Sequence, residues 1–417
     1  MGDDLSTASL PQYSVPGPQV VGGTKYQQLL AVIEELGKDI RPTYTGNKIC
    51  AERLKRSIAH SRILVRECLI EAEKDRQKAA ADAAFSIMTK RSITLPQRPA
   101  FIRSALSSVV ASTYQLEDSG ERKGSIYILS HNLEIGQCIR TPAGVFRFDF
   151  LEPSIIIAAV ADGSLFTTSI NDAVGNVRNS WQYYQGQATR SLVAGCRSDV
   201  VDETECSDTI SVCEDVLLDV ATVPESNVVS CTDKSGRVHL VDVVPGKVVT
   251  SWDAHVLPYT NSGCEVWTCA MRENLLCTGG EDGILKIWDL RSHSFVQQCR
   301  RFDAGVTFTS WIQSHSILTG SYDQHIRLFD VRNTKEPLIY VKTNGGVWHV
   351  ENCEYGGTQH YLASCMYGGW ALLDGDFKTI KSDETAGEQL LYGATKINDQ
   401  YLMYVTFNDF TVTTTSL

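Results

Sequence analysis

The sequence predicts a mainly β protein: a seven-bladed β-propeller preceded by an α-helical hairpin. Three observations predict it. Short apolar strands closing on an aspartate recur at Asp242, Asp289, Asp330 and Asp374, at spacings of 47, 41 and 44 residues. Leu and Ile recur at helical spacing between residues 25 and 74. Charge divides the chain: residues 1–99 hold 15 Lys/Arg against 11 Asp/Glu, a net of +4, and residues 100–417 hold 23 against 38, a net of −15.

The repeats fix the larger part. Each aspartate ends a strand: GRVHLVD, GILKIWD, HIRLFD and GWALLD. Before each lies a small-residue strand with a tight turn: VSCTDKSG, CTGGEDG, LTGSYDQ and ASCMYGG. Strand–turn–strand at a period of 40–45 residues is the WD-repeat pattern. Weaker units occupy 109–130, 144–170 and 390–416, and with the unit at 212–243 they complete seven blades over residues 105–417. Asp282, Asp323 and Trp288 fall where such a repeat uses them for bonds inside a blade. His255 precedes Trp288 by 33 residues, close to the loop histidine of a WD repeat. It stands in an unusually long loop, SWDAHVLPYTNSGCEVWTCAM, so a structural and a functional role both stay open. Cys231, Cys277 and Cys365 lie in small-residue strands and read as core fillers.

The N-terminal part reads differently. Residues 1–23, with three Pro and four Gly, read as a disordered leader. Tyr26, Leu29, Leu30, Ile33 and Leu36 share one helical stripe, which Gly37 and Pro42 confine to about residues 25–40. A second stripe of Ile49, Leu54, Ile58, Val65 and Leu69 opposes Arg53, Lys55, Arg56, Arg62, Arg66 and Lys74. Two helices over residues 24–78 make a thin core, so the hairpin needs a partner surface, for instance a second copy forming a four-helix bundle. Residues 79–104, an Ala-rich tract followed by Pro96 and Pro99, read as a linker.

Composition excludes several classes. The acidic propeller lacks the basic footprint of a nucleic-acid binder but suits a cationic ligand. No apolar run approaches 18 residues, so no membrane span is expected. The opening MGDDLS fits the loose pattern for myristoylation at Gly2, yet Asp3 and Asp4 would repel an anionic membrane. Thirteen cysteines without a C-x-x-C pair, and no signal peptide, point to free thiols in a reducing compartment. The motifs G-x-S-x-G, H-E-x-x-H, G-x-x-x-x-G-K-[ST] and G-x-G-x-x-G are absent, and no metal or cofactor is expected. On these grounds alone a propeller is an interaction scaffold.

Two resemblances add to this. KYQQLLAVIEELGKDIRPTYTGNK, followed by AERLKRSIAHSRILVRECLIEAE, resembles the cyclin-dependent-kinase-2-associated protein family, also called the DOC family. That resemblance implies a small helical domain that dimerises, with links to cell-cycle kinases and nuclear complexes. TYQLED, RKGSIYILS, WDAH with EVWTCA, NGGVWHVEN, LASCMYGGWALL and LLYGA together resemble the diphthine methyl esterase family of the diphthamide pathway. That implies hydrolysis of the methyl ester of methylated diphthine on elongation factor 2, and a cytoplasmic site of action, with the nucleus added by the helical half. The chain departs from the resemblance at His349, where an Arg is expected. Methylated diphthine carries a trimethylammonium group, so Trp267, Trp348 and Trp370 are candidate cage residues. For the two tryptophans Trp267 and Trp348, packing between blades is the equal alternative. His255, Glu265 and His349 are the candidate catalytic groups, and the backbone N–H groups of Gly345 and Gly346 are candidate oxyanion donors. A non-catalytic scaffold with a helical dimerisation or kinase-binding domain is the alternative function.

Overall fold

The computed structural model describes residues 90–170 and 208–417 apart from 106 and 293. In the N-terminal part it describes residues 29–34, 36, 38, 40, 54, 55, 57, 58, 61, 62, 64–66, 68 and 69. The leader at 1–23 and the linker expected over 79–89 lie outside the described residues. The chain divides into two compact units, Met1–Met88 and Thr89–Leu417.

In the first unit the described residues are helical. Leu64 is buried, whereas Leu30, Ile33, Ile40, Ile58, Val65 and Leu69 are 43–65% exposed. The stripe expected to form the hairpin's core is thus largely open to solvent. No helix among the described residues is long and apolar enough to cross a membrane.

The second unit is built of seven four-stranded antiparallel sheets. Blade 1 runs from its innermost strand outward through Pro99–Ala105, Ser108–Thr113, Ser125–Leu129 and Ile135–Arg140. The innermost strands of blades 2 to 7 are Val145–Glu152, Leu217–Ala221, Thr268–Arg272, Val306–Gln313, His349–Tyr355 and Leu391–Lys396. The seven sequence units coincide with these blades. The Asp-closed strands are the third strands of blades 3, 4 and 5, Arg237–Asp242, Leu285–Asp289 and His325–Asp330. In blade 6 that strand is Trp370–Leu373, and Asp374 follows it.

Closure corrects one expectation. Residues 91–105 lie in the propeller, not in a linker reaching 104. Arg91–Thr94 forms the outer strand of blade 7, pairing with Thr411–Ser416 from the far end of the chain. Pro96 and Pro99 gave the misleading breaker signal. Pro99 opens its strand, where a missing N–H breaks little of the ladder, and Arg91–Thr94 is a short edge strand with one partner. Ile93 and Leu95 join Ile102, Val109, Met403, Val405 and Val412 in the apolar layer between blades 7 and 1. Similar layers fill the other gaps, and Cys231, Cys277 and Cys365 are buried in three of them. Each fully buried aliphatic side chain contributes about 1.5–3 kcal/mol.

Blade 4 carries the complete internal network of the repeat. Trp288 Nε1–H donates to Thr278 Oγ1 (3.0 Å), whose hydroxyl faces His255 Nε2 (2.8 Å). His255 Nδ1 faces both oxygens of Asp282 at 2.9 and 3.0 Å. Thr278 accepts from Trp288, so its own proton goes to His255 Nε2, and Nδ1 carries the hydrogen donated to Asp282. Blade 3 substitutes Asp233, His239 and Ser251, and blade 5 substitutes an Asp323–Arg327 fork.

The closing strand predicts a sharp boundary. A chain beginning at Thr89 should melt like the intact propeller. One beginning at Leu95 should lose about 2–4 kcal/mol through its missing ladder bonds. Urea unfolding of the two truncated chains measures the difference.

Candidate functional site

The site draws several of its residues from one recurring position of the blades. In blades 1, 2, 3, 5 and 7 the innermost strand skips a residue near its start. The skips fall between Pro99 and Phe101, Val145 and Arg147, Leu217 and Asp219, Val306 and Phe308, and Leu391 and Gly393. The skipped residues are Ala100, Phe146, Leu218, Thr307 and Tyr392. Trp267 and Trp348 hold the corresponding place in blades 4 and 6, immediately before their innermost strands. A bulge releases a residue from strand alternation and re-aims its side chain, so the ring of blades can present these residues at one mouth of its channel.

Aromatic rings gather there. Trp348 stacks on Tyr392 with centroids 4.8 Å apart and an interplanar angle of 24°. Trp267 meets Trp348 at 5.9 Å and Tyr322 at 6.2 Å, and Tyr322 lies 6.2 Å from Trp348. Phe407 backs Tyr392 at 4.9 Å. Trp267 Nε1–H donates to Glu281 Oε2 (2.6 Å), which fixes both the indole and a carboxylate at the rim. Glu265 is half-buried beside this group, and its carbonyl accepts from Glu281 N–H (2.8 Å). Burial first, then the charges of Tyr392, Glu281 and Glu265, push the Tyr322 hydroxyl above its ordinary pKa. Trp348 is 4% exposed, and its Nε1–H has no partner among the described residues.

Arg147 closes the channel beneath this cage. From blade 2 its Nη2 donates to the carbonyls of Thr307 (2.8 Å) and Trp348 (2.7 Å) on blades 5 and 6. Its guanidinium lies 5.0 Å from the Trp348 ring and 3.6 Å from Asp219. Asp219 in turn accepts from Cys269 N–H (2.9 Å). His349 lies in the same layer, with its ring edge-to-face against Phe101 at 4.8 Å and Phe308 at 5.1 Å. Burial, then the positive charges of Arg147 and Arg103, hold its pKa well below the ordinary histidine value.

The structure gathers Glu265, Trp267 and Trp348 at this mouth. Gly346 borders it: a Cβ there would sit 3.3 Å from Met366 Sδ and from Tyr322 Cα. The remaining candidates are corrected. His255 is fully buried with both ring nitrogens engaged, so it cannot meet a substrate. His349 is sealed between Phe101 and Phe308 and belongs to the channel layer. Trp370 packs with Leu372, Leu391 and Tyr404 in the layer between blades 6 and 7, because its strand is the third of its blade. Gly345 is a packing glycine: a Cβ would lie 2.2 Å from Cys365 O. Tyr322, Tyr392 and Glu281 are functional candidates that the sequence reading passed over. Each lies inside a quoted repeat string, GSYDQ, LLYGA and GGEDG, where turn and strand roles already accounted for it.

Two other places are weaker. Sγ of Cys213, a carboxylate oxygen of Asp233 and a ring nitrogen of His239 lie within 4.8 Å of one another, a donor set a metal could use. Asp233 and His239 already bond each other (3.0 Å), and Arg237 N–H and Ser251 Oγ complete the set, so this is blade 3's version of the internal network. A cleft of about 450 Å³ lined by Phe150, Pro153, Thr222 and Pro224 holds only Glu152 as an ionisable group.

Comparison with known proteins divides the chain as its charge does. Residues 11–77 match the family model Cyclin-dependent kinase 2-associated protein. Over 72 residues the chain is 54% identical to Cyclin-dependent kinase 2-associated protein 1 of Homo sapiens, covering 17% of this chain and 63% of that protein. It is 32% identical over 182 residues to Diphthine methyltransferase of Homo sapiens, covering 39% of this chain and 38% of that protein. A Diphthine methyltransferase homolog of Dictyostelium discoideum is 28% identical over 211 residues, 44% of this chain and 54% of that protein. The chain thus spans about two-fifths of the human diphthine methyltransferase it matches. Among solved structures, a chain of the mitotic checkpoint complex superposes with a TM-score of 0.57 at 12% identity, covering 79% of this chain and 91% of that one. This last likeness is one of fold.

The buried imidazole gives a pH prediction. His349 is neutral in the fold, while in the unfolded chain it takes up a proton below about pH 6.5. The unfolded state therefore binds more protons, and stability falls as pH drops below that value, by at most about 1.4 kcal/mol per pH unit. Denaturant midpoints between pH 7.5 and 5.5 should show a shallower decline for His349→Asn than for the native protein.

Proposed function

We propose that the propeller hydrolyses the methyl ester of methylated diphthine on elongation factor 2, giving diphthine and methanol in diphthamide biosynthesis. The observation that carries this reading is the half-buried ring cluster of Trp267, Tyr322 and Tyr392, backed by the buried Trp348, with Glu281 at its rim. A trimethylammonium group has no N–H to donate and no proton to lose. It is held by ring faces and nearby negative charge, each aromatic contact giving about 0.5–2 kcal/mol. The relatives that carry diphthine in their names make methylated diphthine the cation of choice. They are named for methyl transfer; the reading here is loss of the methyl group as methanol, because the site offers carboxylates and N–H donors.

The chemistry follows from the groups present. With the ammonium in the cage, the ester carbonyl lies toward the rim. Glu265 takes a proton from water as the oxygen attacks the carbonyl carbon. The Gly346 N–H is the donor available to the oxyanion. As the intermediate collapses, the C–O bond to the methoxy group breaks. Methoxide recovers the proton from Glu265, methanol leaves, and the acid product ionises.

A second activity belongs to the helical segment. Its exposed Leu30, Ile33, Ile58 and Leu69 favour association with a second copy or with a cyclin-dependent kinase, and a presence in both cytoplasm and nucleus accords with the two halves. On the scaffold alternative, the cage would bind without turnover.

Three measurements test these readings. Methanol release from methylated diphthine on elongation factor 2 should fall about 10²–10⁴-fold in Glu265→Gln. His255→Asn should lower the melting temperature and leave kcat of the folded fraction unchanged. Undiminished turnover in Glu265→Gln would return the propeller to the scaffold class. In sedimentation, the full chain should run as a dimer and Leu30→Asp/Leu69→Asp as a monomer; a native monomer leaves the kinase as the partner to test.

A further inference from the structure

The cage cannot by itself tell the methyl ester from the acid, since both keep the trimethylammonium group. The inference drawn here rests on the cage reading above. We infer that Glu281 and Glu265 make the cage selective for a quaternary ammonium whose neighbouring carbonyl group is uncharged, so that ionisation of the acid product expels it.

The geometry supports this. Glu281 is not a free surface carboxylate. Its Oε2 is held 2.6 Å from Trp267 Nε1 and would lie 2.6 Å from a Cβ at Gly305. The carboxylate is exposed to solvent and is held at the cage wall by that bond. Glu265 shares this rim through its carbonyl bond to Glu281 N–H. Both carboxylates act on the hydroxyl of neighbouring Tyr322, raising its pKa, and Arg147 acts on it in the opposite sense. Positive charge near the cage is already engaged. Arg147 lies beneath Trp348, donating to two carbonyls and facing Asp219. Arg98 lies 5.0 Å over Phe407, and Phe407 separates it from Tyr392.

A carbonyl group two bonds from a caged ammonium must therefore sit near fixed negative charge. An ester carbonyl tolerates this, and rim N–H groups can bond it. A carboxylate meets like charge in a site only partly open to water, where such repulsion is worth about a factor of ten in affinity. Substrate and product would otherwise bind alike, and product would clog the site.

Small probes test the inference without turnover. The full-length protein is titrated with tetramethylammonium, betaine amide and betaine, following tryptophan fluorescence. Tetramethylammonium and betaine amide should bind comparably, with betaine about tenfold weaker. Glu281→Gln should narrow the amide-to-betaine gap to about twofold, and Glu265→Gln should narrow it as well. If betaine amide and betaine bind the native protein equally, the inference is wrong while the cage stands. If tetramethylammonium does not bind at all, the cage reading falls and takes the inference with it. Should Glu281→Gln not fold, the amide-to-betaine ratio of the native protein alone decides.

Discussion

Closure of the ring is the constraint on which the rest of this molecule depends. Seven sheets can bury their faces against one another only if the last meets the first, and here the first strand of the propeller completes its last blade. Sheets of four strands would otherwise expose two open apolar faces at the gap, filled here by Ile102, Val109, Met403 and Val412. Closure also brings seven innermost strands around one axis. A single displaced residue in each strand then becomes a member of a ring, although these residues lie tens of positions apart in sequence.

Within that ring two layers do different things. The lower layer is a tie: Arg147 crosses from blade 2 to the carbonyls of blades 5 and 6, with Asp219 as its counter-charge. A buried guanidinium is costly unless its donors are met, and here backbone carbonyls from opposite blades meet them. That tie holds the Trp348 backbone in place from below. The upper layer is the aromatic cage, whose rings are steadied by mutual stacking and by the Trp267–Glu281 bond. The cage owes its rigidity to the floor, and the floor owes its geometry to closure.

The two units of the chain contrast physically. The propeller closes on itself: its last blade is completed by its first strand, its cores are filled, and blades 3, 4 and 5 carry internal networks. Among the described residues of the helical unit, Leu30, Ile33, Ile40, Ile58, Val65 and Leu69 are exposed, while Leu64 is buried and Leu29, Leu36 and Leu54 are half-buried. One half carries a cluster of aromatic rings and the other an apolar surface, which accords with their opposite charge and with their separate relatives.

Local pattern determined much of this from the sequence alone. The alternating strands, the turn residues and the Asp-closed units specified the blades and the identity of the core cysteines. The resemblance of EVWTCA and NGGVWHVEN to the diphthine methyl esterase family marked Trp267, Trp348 and Glu265 as well. What the sequence could not decide was which residues share a space. His255 and Glu265 are ten positions apart. One is sealed in a blade and the other lies at the mouth, a difference that rests on the partners Asp282 and Thr278. Trp348 and Trp370 look alike in composition, yet one precedes an innermost strand and the other opens a third strand facing the next blade. Tyr322, Tyr392 and Glu281 escaped notice because a turn or strand already explained them. Register along a strand fixes which face a side chain takes. Only closure and the bulges of the innermost strands fix which side chains meet, since those contacts join blades whose residues carry no local sign of one another.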